Sequence, residues 1–323
     1  MPKVLDNPSD PGIPTLAAVL DPAELARQLS AILQWDTSLG IRLRVLRWKP
    51  ASRCTLEIAV RTATGWQELI GKVYAEDRAD VYRTMEELRR AGFDSEAQFG
   101  IPRALAFLSP LRLLLYEKAS GTRARTLIVE SDEPERAHAA ERCSHWLAWF
   151  HAHGPRLAPV LSLKDQLDAL EHAWRGLADL GGPLGDKASR LFDKLHAASR
   201  RLGGGDLCAG HGTYSPGQVL LAEGRTVTID WDTYHVADPA HDVARFLVEL
   251  KRMGLKYSGS THALDGTAGV FLKTYLATGR SDIATRLPFQ EAAICLDRAQ
   301  HDVDKQAGAK AEAMLNEGLR VLG

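Results

Sequence analysis

The sequence predicts an α+β chain of two lobes, a small antiparallel-sheet lobe followed by a larger, mainly helical one. Three observations carry this reading. Residues 41–74 alternate apolar and polar side chains over successive runs, the period-2 signature of half-buried strands. From residue 139 onward apolar residues recur every three or four positions, as in helices with one buried face. The 323 residues are 45% apolar and 25% charged, a globular balance with length for one large domain or two modest lobes.

Taken in order, Asp21–Leu33 reads as a helix, with Asp21 as cap, Pro22 in the first turn and Leu25, Leu29 and Leu33 four apart. Ile41–Trp48 and Cys54–Val60 read as strands joined by a turn over Lys49–Arg53, and Thr62–Gly65 turns into a third strand, Gln67–Tyr74. Asp80–Gly92 reads as a helix that buries Val81, Met85 and Leu88 and stops at Gly92. Leu111–Glu117 returns to strand pattern and runs into Ala119-Ser120-Gly121, a hinge sequence, so residues 1–118 form the expected first lobe and 119–323 the second. In the second lobe three apolar stripes follow: Ala139, Cys143, Trp146, Leu147 and Phe150; then Leu163, Leu167, Leu170, Trp174 and Leu177; then Leu184, Ala188, Leu191, Leu195 and Leu202. A β-rich interruption over Leu207–Asp232 precedes a helix over Asp242–Leu250, with Asp242 read as its cap.

Composition excludes several classes. Forty basic against forty-one acidic residues give a formal charge of −1, without the basic excess of a nucleic-acid binder. No apolar run approaches the roughly 18–20 residues of a membrane helix, and the opening MPKVLDNPSDPGIP has prolines and acids where a signal peptide is apolar. The expectation is a cytoplasmic protein with no membrane and no nucleic-acid partner. Cys54, Cys143, Cys208 and Cys295 have no metal-ligand spacing and read as small buried hydrophobes.

The chemistry concentrates in His211-Gly-Thr-Tyr-Ser-Pro-Gly-Gln218, then Val227-Thr-Ile-Asp230-Trp-Asp232, then Asp238-Pro-Ala-His-Asp242. The order is strand, tight loop, strand, turn, strand, loop, helix. It brings a polar side chain of the loop and an acid leaving an apolar strand to one point, where a divalent ion can sit between a carboxylate and an amide oxygen. His211, His235 and His241 lack the convergence of a zinc site. Ser215 with His211 and Asp230 lacks the strand–elbow context of a hydrolase triad. Lys72 is a lone cation in the apolar strand Leu69-Ile-Gly-Lys-Val-Tyr74; it is either an edge-strand lysine facing water or a buried ammonium that needs an anionic partner.

These segments resemble the aminoglycoside phosphotransferase and choline kinase family, whose pattern is HGDxxxxN, an apolar strand ending in IDW or IDF, then DPxxD. His211, Gly212, Gln218, Asp230, Trp231, Asp238, Pro239 and Asp242 fall at matching places, and Leu147-Ala-Trp-Phe-His151 resembles the family's LAxLH helix end. The resemblance spans roughly residues 40–300 and implies a protein-kinase-like fold with ATP and Mg2+ as cofactors. It implies that Lys72 holds nucleotide phosphates, that Ser52 and Arg53 lie in the phosphate-covering turn, and that Glu117 lies by the hinge. It also implies that Gln218 and Asp230 take the metal, that His211 orients the catalytic loop, and that Asp242 ties the loop backbone in place. Lys72's usual partner would be a helix glutamate, Glu86 or Glu87.

Two positions depart from the pattern. Gln218 replaces an asparagine and still offers an amide oxygen. Thr213 replaces the catalytic aspartate, and a hydroxyl cannot take up a proton near neutral pH. General-base help is worth about 10²–10⁴ in rate, or roughly 3–5 kcal/mol, while phosphoryl transfer depends mostly on positioning and charge stabilisation. Asp232 is the candidate stand-in base. The leading reading is an ATP-dependent kinase acting on a hydroxyl of a small molecule such as an aminoglycoside, amino alcohol or sugar. The alternative is a pseudokinase that binds nucleotide, or none, and works through a protein partner.

Overall fold

The computed structural model describes residues 10–34 and 40–323; the irregular lead expected before the first helix lies partly outside these described residues. The chain divides into two units, the first ending at Ser120 and the second running from Gly121 to Gly323. The mixed architecture is the expected one.

In the first unit a short helix, α1 (Leu16–Leu20), precedes α2 (Pro22–Leu33). Asp21 caps α2 by accepting from Ala23 N at 2.9 Å, and Leu25 and Leu29 are buried. The strands are β1 (Ile41–Lys49), β2 (Arg53–Thr62), β3 (Gly65–Tyr74), β5 (Ala104–Leu108) and β6 (Leu113–Glu117), with a two-residue β4 at Phe99–Gly100. Among the described residues β1, β2, β3, β6 and β5, in that order, make a five-stranded sheet whose pairings are all antiparallel. One core joins the sheet to Leu16, Val19, Leu25 and Leu29 of the leading helices. Helix α3 (Ala79–Arg90) buries the expected Val81, Met85 and Leu88. Two details differ from the sequence reading. The strand expected from Leu111 starts at Leu113, because Ser109–Leu111 forms a 3-10 turn and Arg112 turns left-handed. Strand β5 has no counterpart in that reading; its inward residues include Ala104 and Ala106, too small to mark a strand by hydropathy.

The second unit opens with β7 (Thr122–Arg123), α4 (Ala124–Glu130) and α5 (Glu133–His153), followed by α6 (Leu163–Ala178) and α7 (Gly182–Ser199). Then come β8 (Cys208–Gly210), β9 (Val219–Ala222), β10 (Arg225–Thr228) and β11 (His235–Ala237), and the helices α8 (Pro239–Ser258), α9 (Asp265–Leu276), α10 (Leu287–Asp304) and α11 (Gly308–Val321). Hairpin β9–β10 is antiparallel, β7 pairs with β9, and β8 pairs with β11. Arg142 of α5 clamps the hairpin by donating to Ala222 O and Arg225 O. Helix α8 begins one turn earlier than expected. Asp238 is its cap, with Pro239 at the first helical position, so Asp242 lies inside the first turn and is not the cap. No helix among the described residues is long and apolar enough to cross a membrane.

All four cysteines are buried and reduced, Cys54 in the first unit and the others in the second. Burial raises their thiols, Cys54 to about 11 and Cys208 to about 12.

The interior of the second unit is organised by aromatic rings. Trp146 of α5, fully buried, stacks on Phe150 at 5.2 Å and Tyr214 at 5.6 Å, and lies 5.9 Å from Trp231. Tyr214 and Trp231 belong to the segment that carries His211 and Asp230, so the cluster seats that segment as well as filling the core. Trp146→Ala should cost about 3–5 kcal/mol. Urea unfolding followed by far-UV circular dichroism would show this as a lowered midpoint, and Trp146→Phe should lose less than half as much.

Candidate functional site

The segment 211–242 is held by one buried carboxylate. Asp242 is 1% exposed, and accepts hydrogen bonds from His211 N at 2.6 Å, Gly212 N at 2.8 Å and His151 Nε2 at 3.3 Å. His151 stands at the end of α5 and receives the hydroxyl of Tyr275 on α9 at its Nδ1, at 2.6 Å. Three separate elements therefore meet at the first turn of α8. Burial works to raise the Asp242 carboxyl, but its hydrogen-bond donors, the His151 ring foremost, outweigh it and hold the group well below the usual carboxylate range. Burial lowers His151 and His211, against the opposing pull of Asp242, and keeps both neutral.

Gly212 shows why the loop needs glycine there. Its φ is +83°, and a Cβ would stand 2.5 Å from the carbonyl oxygen of Thr233. His211 is fully buried; its Nε2 donates to Ile229 O at 3.1 Å, which leaves Nδ1 as the unprotonated nitrogen. Tyr214 donates to Cys143 O at 2.8 Å and pins the loop to α5.

The polar side chains of the loop form one directed chain. Gln218 Nε2 donates to Thr213 Oγ1 at 3.0 Å, and Thr233 Oγ1 donates to His211 O at 2.9 Å. Thr233 has thus spent its proton, so at the 3.1 Å contact between the two threonines Thr213 is the donor. His211 Nδ1 is 3.5 Å from Thr213 Oγ1, at the limit of a hydrogen bond. Thr213 is accordingly a positioned hydroxyl whose proton runs toward a backbone carbonyl and not toward a carboxylate. Thr233 escaped the sequence reading, since nothing in its neighbourhood marks it beyond its position next to Asp232.

Asp230 leaves β10 in the left-handed conformation, φ 76° and ψ 63°. Aspartate tolerates this region better than most residues, yet it stores backbone strain at the point where the acid is presented. Its Oδ2 lies 3.3 Å from Gln218 Nε2, while Gln218 Oε1 accepts from Ser215 Oγ at 3.1 Å. Turning the amide over would aim its oxygen beside Asp230, and the hydroxyls of Thr213 and Ser215 could each reverse role to suit. One carboxylate and one amide oxygen fit magnesium, which usually takes one or two protein oxygens and completes its shell from phosphate and water. Asp232 lies in the 3-10 turn Trp231–Thr233 that follows.

The remaining candidates belong to the first unit. Lys72 is 5% exposed on a central strand, opposite Thr55 on β2 and Leu114 on β6, so the edge-strand alternative is excluded. Glu86 and Glu87 pair with Arg89 and Arg90 one turn along α3. Glu117 ends β6, with Arg103 Nη1 at 4.0 Å. The turn before β2 is held by an acid the sequence reading passed over: Asp10 Oδ2 accepts from Ala51 N and Trp48 Nε1, both at 2.9 Å, with Ala51 left-handed at φ 55°. The Ala51 N–H is therefore already given to Asp10. Ser52 O accepts from Ala75 N at 2.8 Å, and Arg53 begins β2 beside Tyr74. Asp10 could not be found from sequence because its partners lie about forty residues on, across a turn.

Comparison with known proteins bears on the family and the fold. The profile of the phosphotransferase enzyme family matches residues 59–280, more than half of the chain. No curated protein matches. Among solved structures, a thermostable mutant of aminoglycoside phosphotransferase APH(4)-Ia, in ternary complex with ADP and hygromycin B, is 16% identical, with a TM-score of 0.65 over 92% of this chain and 98% of that one. Choline kinase LicA from Streptococcus pneumoniae is 14% identical, with a TM-score of 0.61 over 92% and 97%. A choline/ethanolamine kinase family protein from Mesorhizobium loti is 15% identical, with a TM-score of 0.62 over 93% and 94%. At these identities the likeness is one of fold, and the fold is the kinase-like one.

Two predictions follow from the loop's anchoring. Gly212→Ala should cost about 1–3 kcal/mol, well above Gly224→Ala in the open β9–β10 turn, where φ is +65° but a Cβ meets nothing within 4 Å; thermal unfolding of the two variants compares them directly. The second concerns pH. His151 and His211 are both held below their ordinary value, so the unfolded chain takes up protons that the folded one refuses. Their contribution is complete above about pH 6.5 and is lost as the pH falls below it, by up to about 1.4 kcal/mol per histidine per pH unit. Unfolding measured from about pH 8 to pH 5 should show that decline, and His151→Gln should make it shallower.

Proposed function

The chain belongs to the phosphotransferase enzyme family, and from that membership we propose that it transfers the γ-phosphoryl group of ATP to a hydroxyl of a small molecule. The observation that carries the proposal is Asp230, set in a strained left-handed turn 3.3 Å from the Gln218 amide, with the loop between them tied to Asp242. ADP beside hygromycin B in a protein of the same fold supports a nucleotide donor and a hydroxyl-bearing acceptor.

The roles divide by chemistry. Lys72, a buried ammonium, is proposed to hold nucleotide phosphate, with Arg53 and Ser52 as further contacts and Glu117 at the hinge side. Asp230 and Gln218 would hold magnesium, whose contribution is to neutralise charge on the phosphates. His211 orients the loop from beneath. Thr213 fixes the acceptor hydroxyl with its remaining lone pair. In the transfer the acceptor oxygen bonds to the γ-phosphorus as the bridging P–O bond to ADP breaks. Because Thr213 cannot take the acceptor's proton, the proton leaves with the transferred phosphoryl group and passes from there to water. Asp232, next to Thr233, is the carboxylate that would serve if the step draws on a base.

A second reading, nucleotide binding without transfer, is favoured by one observation: the hydroxyl chain from Thr213 ends on the carbonyl of His211.

Calorimetric titration with ATP, with and without magnesium, tests the proposal. Binding should require magnesium and fall at least tenfold in Asp230→Asn, which keeps a residue suited to the left-handed conformation. Thr213→Asp should raise turnover by about 10²–10⁴. Binding indifferent to both magnesium and Asp230 would overturn the metal role, and an unchanged rate in Thr213→Asp would favour the second reading.

A further inference from the structure

The second unit contains a cavity of about 240 Å³ directly against the catalytic loop. One wall is Ser215, Pro216 and Gly217, the three residues nearest Gln218 in the stretch that separates it from Thr213. Met253 of α8 and Met314 of α11, both buried, supply an apolar floor. The rest is charged, and the charges do not balance. Arg125, Arg252, Lys256 and Lys310 line the space against Glu249 and Asp302.

Both acids are already committed to the same cation. Asp302 receives Arg252 through two contacts, at 2.5 and 2.8 Å, and Glu249 lies 3.6 Å from Arg252 Nε. That leaves Arg125, Lys256 and Lys310, each exposed, facing the cavity without a carboxylate among the described residues. Lys256 instead donates to the hydroxyl of Tyr257 at 3.1 Å and lies 4.7 Å from its ring centroid. The Tyr257 phenol is lowered by that hydrogen bond and by the charges of Lys256 and Arg125, with Glu130 opposing. Three cations from three different helices thus converge on one small, open, partly apolar space. At about 30 Å³ per water the volume equals roughly eight waters, room for a molecule of sugar-acid size.

We propose that this cavity receives the acceptor and that the acceptor is an acid alcohol, a small hydroxylated molecule bearing a carboxylate or phosphate that Arg125, Lys256 and Lys310 engage. The inference rests on the phosphotransferase reading and narrows it. An aminoglycoside or a quaternary amino alcohol would bring positive charge to a wall with two cations in excess, whereas an acid gains charge-assisted hydrogen bonds there. The acceptor's hydroxyl would lie toward the 215–217 wall, on the side of Thr213, and its anionic end toward the distal end of α8.

The test is calorimetric titration of the full chain, at low ionic strength and without magnesium, with gluconate and glycerol 3-phosphate as acid probes, glucose as neutral probe and choline as cationic probe. At least one acid probe should bind, at least about tenfold more tightly than glucose or choline. Its affinity should fall about tenfold or more in the Lys256→Gln/Lys310→Gln double variant and recover in Lys256→Arg/Lys310→Arg. Lys164→Gln, an exposed change on α6, should leave it unaltered. The substituted lysines are exposed, and thermal melts confirm that each variant is folded. The proposal is overturned if neither acid probe binds, if choline or glucose binds as well as the acids, or if acid binding survives the double variant. Magnesium-dependent ATP binding, measured on the same samples, separates the two readings: retained ATP binding with no acid binding brings down the pocket alone, while acid binding without ATP binding leaves the pocket standing and brings down the transfer reading.

Discussion

A carboxylate taken out of water costs several kcal/mol unless its oxygens find donors, and Asp242 finds three. Two are backbone N–H groups of the loop at 211 and 212, and the third is His151 at the end of α5. Because the acid sits in the first turn of α8, it also faces the positive end of that helix. The loop that carries Thr213 is placed by reference to this knot. The loop leaves β8, is gripped at His211 and Gly212, and only then presents Thr213. Removing the acid would leave two backbone amides of the loop and a buried imidazole of α5 without their acceptor, so the cost would spread beyond α8 itself.

What the knot presents is a site built for position. Thr213, Gln218 and Thr233 are joined by hydrogen bonds that all run one way, ending on a backbone carbonyl. Such a chain orients a hydroxyl well and abstracts no proton. Asp230 is the contrasting element, an acid held in a conformation that few residues accept. Strain of this kind persists only where the surroundings over-determine it, and here the Ile229 N–H bonded to Gln218 O at 3.0 Å and the buried Trp231 do so from either side.

Much of this was legible in the sequence, for identifiable reasons. Strand β1 and the start of β2 alternate because one face packs toward the core shared with α1 and α2, while β3 is buried on consecutive residues and Lys72 stood out as the exception in its apolar run. The order of His211, Gln218, Asp230 and Asp242 pointed to the loop. The misreadings share a cause. Asp242 looked like a cap because it opens an apolar helical pattern, but Asp238-Pro239, one turn earlier, does the capping. Asp10, Thr233 and Tyr275 act on partners brought near by the fold, and Tyr275 meets His151 across 124 positions. The charged cavity was equally hidden, since Arg125, Lys256 and Lys310 sit on α4, α8 and α11, and a net charge of −1 conceals a local excess of the opposite sign.

The four cysteines add a property of another kind. Each thiol is buried and raised far from its reactive form, so the closed chain offers almost nothing to an electrophile. Cys54 lies in the first unit and Cys143, Cys208 and Cys295 in the second. The protein therefore carries an internal clock for breathing: the moment at which each sulfur becomes alkylatable dates the opening of its own unit, with no foreign label introduced.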